Sequence, residues 1–349
     1  MNQISSLSGW EEALIAFAVI LLILALVNYL IARSAEHRHP PEGLFIEVNG
    51  VRLHYSDRGE GNPILLVHGN TVTGDDYNTS GVAERLLATN RVIMFDRPGF
   101  GYSSRPRSRV WTAAAQADLL HSALLQLGIR RPLIVGHSWG TLVALAFAIR
   151  HRSDTAGLVL LSGYYFPTLR FDALLVAVGA VPVLGDIWCY TISPVFGWLT
   201  MPLVKRLMFA PAPVTPRFKA EYSNAMALRP WQIRATAADG ALMVPSVAGI
   251  RSEYSKLSLP VMIMAGDGDL VVRPRQSQRL HGTIPGSALQ IVEGVGHMIH
   301  HVATQQVMVA ITDMAQRSLE PPPADRLAPA PASDRDQARA EPAQVGRRG

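Results

Sequence analysis

The sequence predicts an α/β protein with a mostly parallel central sheet and helices on both faces. Three observations carry that expectation. Strand-length runs at Ile64–Val67, Arg91–Phe95, Pro132–Gly136 and Gly157–Leu161 alternate with helix-like segments. An opening pair of runs, Leu44–Val48 and Val51–Tyr55, flanks Asn49-Gly50, a two-residue hairpin signal. Far downstream, Pro260–Ala265 and Ala288–Val292 repeat the strand-then-helix pattern.

The elements follow in order. After the hairpin, the strand Ile64–Val67 leads to a helix around Val82–Leu87 and then to the strand Arg91–Phe95. Trp111–Leu127 has helical spacing and stops before Gly128, a residue suited to helix ends. The strand at Pro132–Gly136 precedes a helix at Thr141–Ile149, and Gly157–Leu161 is the next strand. No internal repeat of fixed period interrupts this alternation.

Composition bounds the remainder. The 349 residues are 48% hydrophobic and 17% charged, which excludes a chain disordered throughout. One cysteine, Cys189, excludes an internal disulfide framework and a multi-cysteine metal site. A net charge of +5 gives no argument for a nucleic-acid partner.

The first 43 residues differ from the rest. Ala13 to Ala32 reads ALIAFAVILLILALVNYLIA, with Asn28 its one plainly polar residue. Twenty helical residues cover about 30 Å, the depth of a bilayer's hydrocarbon core. Glu11 and Glu12 stand where a signal peptide carries basic residues, and no small-residue cleavage site follows before Arg33. Residues 1–43 are therefore expected to be a single-pass membrane anchor and linker, with the lipid bilayer a partner through residues 13–32. Arg33 and Arg38 follow the span and no Lys or Arg precedes it, which places the body on the cytoplasmic side. At the other end, residues 319–349 are rich in Pro, Ala, Arg and Asp, lack apolar periodicity, and are expected to be a disordered tail.

The chemistry centres on Gly136-His137-Ser138-Trp139-Gly140. It joins the strand PLIV to the helix TLVALAFAI, the context in which G-x-S-x-G has a mechanism. A serine at such a sharp turn exposes its Oγ, and small residues two places either side avoid collisions. A helix N-terminus beside it favours developing negative charge. An N-cap serine alone would not need glycine on both sides.

With three further motifs, His68-Gly69-Asn70, Asp96-Arg97-Pro98-Gly99-Phe100-Gly101 and a late acid and histidine, the chain resembles the α/β-hydrolase family. The resemblance runs from about Phe45 to Gln316. It implies a hydrolase domain over residues 44–318 and the order Ser138, Asp269, His297 for nucleophile, acid and base. His297, in Glu293-Gly294-Val295-Gly296-His297, occupies the loop from which the family's histidine reaches the nucleophile. His300 and His301 are rivals within the helix that follows. Asp269 fits the family's G-x-x-D spacing counted from Gly266, and Asp267 is expected to shape the turn. The resemblance assigns the oxyanion hole to the backbone N–H groups of Asn70 and Trp139. It makes His68 the structural histidine opening the oxyanion loop, and His137 is expected to point away from the serine. Asp96 is expected to be scaffolding.

About 95 residues separate the strand Gly157–Leu161 from that at Pro260, far more than a crossover needs. Gly163–Lys256 is therefore expected to be a mainly helical cap. It carries nine Lys and Arg (Arg170, Lys205, Arg206, Arg217 and Lys219 among them) against five Asp and Glu. Two apolar stretches, Ala173–Leu184 and Ser193–Val204, are short and broken by Gly or Pro for a second span; they either pack on the domain or meet the bilayer or an acyl tunnel.

Dehalogenases and epoxide hydrolases of this family use an aspartate at the elbow, so Ser138 points instead to acyl chemistry. No cofactor and no metal are expected: the sequence carries no phosphate-binding loop, and adjacent His300 and His301 would face apart on a helix. The expected function is a membrane-anchored serine esterase that acts on a small-molecule acyl substrate through an acyl-enzyme. The same three residues serve acyl transfer, amide or C–C bond cleavage, and cofactor-free perhydrolysis. A non-catalytic binding module on the same fold is the alternative from another class.

Overall fold

The computed structural model describes residues 8–168 and 177–318. The expected tail at 319–349, Arg170 and the start of the Ala173–Leu184 stretch lie outside the described residues.

The eight strands are β1 (Leu44–Val48), β2 (Val51–Arg58), β3 (Asn62–Val67), β4 (Asn90–Phe95), β5 (Leu133–His137), β6 (Gly157–Leu161), β7 (Val261–Gly266) and β8 (Ala288–Val292). They form one sheet in the order β1-β2-β4-β3-β5-β6-β7-β8. β1 pairs β2 and β2 pairs β4 antiparallel, and every other neighbour is parallel. Asn49 (φ 51°) and Gly50 (φ 76°) make the left-handed two-residue turn that the β1–β2 hairpin requires. β4 lies between β2 and β3, so the direction of strand addition reverses between β3 and β5. Crevices at such a reversal, outside the carboxyl ends of parallel strands, are where α/β sheets place their sites.

Both sheet faces are covered, which explains the near-continuous apolar strands. Along β3, Ile64 and Leu66 pack with the helices Val82–Leu86 and Thr304–Arg317, while Leu65 and Val67 face the helices Ala113–Gln126 and Gly140–Arg150. The helix Ala113–Gln126 starts two residues later than its spacing predicts because Thr112 caps it, accepting the Ala115 N–H.

Between β6 and β7 the described chain is helical: Leu184–Tyr190, Ile192–Phe209, Pro216–Glu221, Asn224–Ala227 and Pro230–Ile250. The Ser193–Val204 stretch lies inside one helix that continues through Pro202. That helix and Leu184–Tyr190 meet at a 55° bend, and together they have the length and hydropathy of a broken span.

The N-terminal helix runs over Gly9–Arg38, six residues beyond the expected span, and is long and apolar enough to cross a membrane. Most of its apolar side chains are exposed. Asn28, Ala32 and Ala35 are buried, a spacing that lies along one helix face. Asn28 donates to the carbonyls of Tyr190 (2.9 Å) and Thr191 (2.7 Å), at the bend in the cap. One turn beyond Ala32, Glu36 pairs with the fully buried Arg229 of the cap at 2.9 Å.

Candidate active site

Four strand ends converge. Ser138 follows β5 at φ 52°, a left-handed conformation that a non-glycine residue adopts only under constraint. Gly140 provides room for it: a Cβ there would lie 2.2 Å from the Val67 carbonyl oxygen. His297 sits on the loop after β8, and its Nε2 lies 2.9 Å from Ser138 Oγ. Its Nδ1 lies 2.8 Å from Asp269 Oδ2. Asp269, on the loop after β7, accepts the N–H groups of Val271 and Val272 on Oδ1, both at 2.8 Å. Those two bonds fix the carboxylate and turn Oδ2 toward the imidazole. Asp269 and His297 are buried, whereas Ser138 is partly accessible.

His68 follows β3. Its Nδ1 donates to the Gly69 carbonyl at 2.7 Å and its Nε2 accepts the Arg97 N–H at 2.9 Å. Both ring nitrogens are thereby engaged by the neutral form, and burial, then the Arg97 charge, push the pKa down to about 3. The loop passes close over Ser138, since a Cβ on Gly69 would lie 3.1 Å from Ser138 Cβ. The backbone N–H groups of Asn70 and Trp139 have no acceptor among the described residues. Two free donors beside a partly accessible hydroxyl are what an oxyanion requires.

Arg97 was not singled out by the sequence, yet it ties this loop down. Its Nε and Nη2 donate to the carbonyls of His68 and Gly69, both at 2.9 Å. Its Nη1 donates to Gln116 Oε1 (3.0 Å) and to Asp239 Oδ2 (2.5 Å), with Arg97 and Asp239 both fully buried. Asp239 belongs to the cap helix Pro230–Ile250, also pairs with Arg105 at 2.9 Å, and its carbonyl accepts the Trp139 indole N–H at 3.0 Å. The helical insertion is thus latched to the loop after β3 and to the residue after Ser138. Nothing in the periodicity pairs residues this far apart; only the all-polar DR of Asp96-Arg97 in an apolar setting hinted at a buried charge.

The other end of the insertion touches the loop that carries His297. The Met298 N–H donates to the Met208 carbonyl at 3.2 Å, and a Cβ on Gly296 would lie 2.1 Å from the Ala210 carbonyl oxygen. Asp267 accepts the Gly294 N–H at 2.8 Å and so shapes the turn, as its position suggested. Asp96 is scaffolding, held by His54 (2.7 Å) and the N–H groups of Gly74 and Tyr102. His137 turns beneath the site and its Nε2 donates to the His297 carbonyl at 3.1 Å.

One expectation is corrected. His300 and His301 do not face apart: both send Nε2 to Asp76, at 2.7 and 2.8 Å. The segment Ile299–Val302 is a single turn, too short to impose regular helical divergence on its neighbours. Burial opposes the charge on Asp76, but the two histidines outweigh it and hold the carboxyl well below its usual range. Asp76, His137 and His300 bring ligand-type atoms within 4.8 Å of one another. Each Asp76 oxygen receives an imidazole N–H, from His300 and from His301, while His137 Nδ1 is buried with no hydrogen-bond partner among the described residues.

A family model for the alpha/beta hydrolase fold matches residues 62–304, and the chain belongs to that family. It is an enzyme of the hydrolytic type that family comprises. Haloalkane dehalogenase 2 of Mycobacterium tuberculosis is 28% identical over 292 residues, 79% of this chain and 95% of that protein. The 2-hydroxymuconate semialdehyde hydrolase of Pseudomonas putida is 38% identical over 136 residues, 38% of this chain and 48% of that one. A thermophilic esterase from Thermogutta terrifontis has the same fold, with a TM-score of 0.60 and 22% identity over 79% of this chain and 99% of that one.

Proposed function

We propose that this protein is a membrane-anchored serine hydrolase that cleaves a carboxylic ester of an apolar substrate. The observation that carries the reading is the hydrogen-bonded series Asp269, His297, Ser138, ending at a hydroxyl on a left-handed turn beside two free N–H groups. Ser138 Oγ attacks the carbonyl carbon while His297 Nε2 takes its proton. The oxyanion is held by the N–H groups of Asn70 and Trp139. The alcohol leaves with the proton from His297, and a water activated by the same ring releases the acid. Asp269 keeps the imidazole in one tautomer and stabilises its cation. No step uses a cofactor or metal. The helix Gly9–Arg38 anchors the enzyme, with the body on the cytoplasmic side.

A p-nitrophenyl ester series of increasing acyl length tests the reading. Hydrolysis with a pre-steady-state burst, absent in Ser138→Ala, is expected. No turnover of any ester would remove the ester assignment. The match to the semialdehyde hydrolase favours a second reading, C–C bond cleavage by the same residues. Turnover of a vinylogous diketone with inert esters would select it. The serine at the elbow argues against the dehalogenase reaction, which the family runs through an aspartate.

A further inference from the structure

We infer that the bent helix pair Leu184–Tyr190 and Ile192–Phe209 lies in the bilayer beside the anchor, with a basic recess at its base receiving phosphate groups of anionic lipids. This rests on the reading of Gly9–Arg38 as a membrane span.

The pair presents Leu184, Ile187, Val195, Phe196, Leu199 and Leu203 to the outside, with Leu199 77% exposed. That surface is continuous with the exposed apolar side chains of the anchor, because Asn28 joins the two at the bend. The join has a physical reason. An asparagine inside an apolar span needs a partner in lipid, and a broken helix leaves carbonyls that lipid cannot satisfy. Asn28 Nδ2 and the carbonyls of Tyr190 and Thr191 answer both needs at once. Asn28 lies four residues before the end of the apolar run, so the bend sits about 6 Å inside the hydrocarbon.

Where the anchor leaves the bilayer, a recess of about 340 Å³ opens between it and the cap. Arg38, His39, Lys205 and Lys219 line it beside Trp198 and Tyr222, and among the described residues no carboxylate does. Lys205 Nζ stands 4.4 Å from the Tyr222 ring centre. Cations with Trp and Tyr at the level of a helix exit match a headgroup layer. The cap therefore dips apolar side chains into the acyl region, while its basic edge meets phosphate. Met208, at the end of the same helix, accepts the N–H of Met298, the residue after His297.

The test uses the full chain in nanodiscs, spin-labelled at Leu199→Cys, Leu22→Cys or Val110→Cys. The parent chain gives the background, since Cys189 is buried. Collision with oxygen and with a water-soluble nickel chelate reads the depth. The label at 199 is expected to report lipid, at a shallower depth than the anchor label at 22, and to oppose the label at 110, on the exposed body. In discs of phosphatidylcholine and phosphatidylglycerol it is expected to lie deeper than in phosphatidylcholine alone, and Lys205→Gln with Lys219→Gln abolishes that difference. Each lost charge shifts the balance on the order of fivefold. A label at 199 in water while 22 is in lipid overturns this inference and leaves the anchor standing. Water at both positions overturns the anchor reading itself. Equal depth in both lipids overturns the phosphate assignment. Unfolding midpoints confirm that each variant is folded.

Discussion

Replacing Asp239 by Ala tests the latch between cap and oxyanion loop. The Arg97 guanidinium would keep its bonds to Gln116 and to the carbonyls of His68 and Gly69, but lose its counter-charge at 2.5 Å. Arg105, 2.9 Å from the other carboxylate oxygen, would also face an unneutralised neighbour. Removing one partner of a fully buried ion pair costs about 3–5 kcal/mol, since the remaining charge stays desolvated. In a domain of this size that lowers Tm by on the order of 10 °C. Thermal unfolding of the full chain in detergent micelles, followed by circular dichroism, measures it. Arg97→Met alone is expected to cost a similar amount. The pair Arg97→Met/Asp239→Ala should cost less than the sum of the single changes by about 2–3 kcal/mol. An Asp239→Ala protein melting within about 2 °C of the parent, or single effects that simply add, would refute the latch.

Acid should weaken the fold near pH 5. With His68 held at about 3 in the folded chain and near 6.5 in the unfolded one, the unfolded state takes up the proton first. Stability is therefore full above about pH 6.5 and falls by about 2 kcal/mol at pH 5 from this ring alone. His137 and His300, also pushed down by burial, act in the same direction. Asp76 offsets nothing there, because its contribution is lost only below the usual carboxylate range. Urea unfolding at pH 7.5 and 5 would contradict this if the two free energies agreed. Asp269→Asn should lower kcat about 10⁴-fold with little change in KM. Its oxygen would take the Val271 and Val272 N–H groups, and its NH₂ would force the proton of His297 onto Nε2, leaving Ser138 no acceptor. A loss under about tenfold would count against the assigned acid. Asn28→Val should lower unfolding stability by about 1–3 kcal/mol, by orphaning the carbonyls at the cap bend; an unchanged melting point would show that water satisfies them.

The parts legible in the sequence were those with a local signal. β1, β6 and β8 have the boundaries their runs predict, because hairpin glycine, apolar length and flanking polar residues act within a few positions. The family resemblance pointed to Ser138, Asp269 and His297, each on a loop after a strand, and the three side chains lie within hydrogen-bonding distance in series. The sheet order was not legible, since strand addition reverses through pairings that leave no trace in spacing. Asp239 carries no local signal, and only the fold brings it under Arg97. Asn28 looked like a blemish in a span, and its partner carbonyls lie 162 and 163 residues away. His300 and His301 were misjudged because regular helical geometry was applied to a single turn.

The central claim is that Ser138 is a nucleophile activated by His297. Treating the folded full-length protein with a fluorophosphonate and measuring intact mass, then mapping the peptide, tests it most directly. One adduct per chain is expected, on Ser138, absent in Ser138→Ala and strongly slowed in His297→Ala. Folded protein that stays unlabelled, or that carries the adduct elsewhere with Ser138 free, would contradict it.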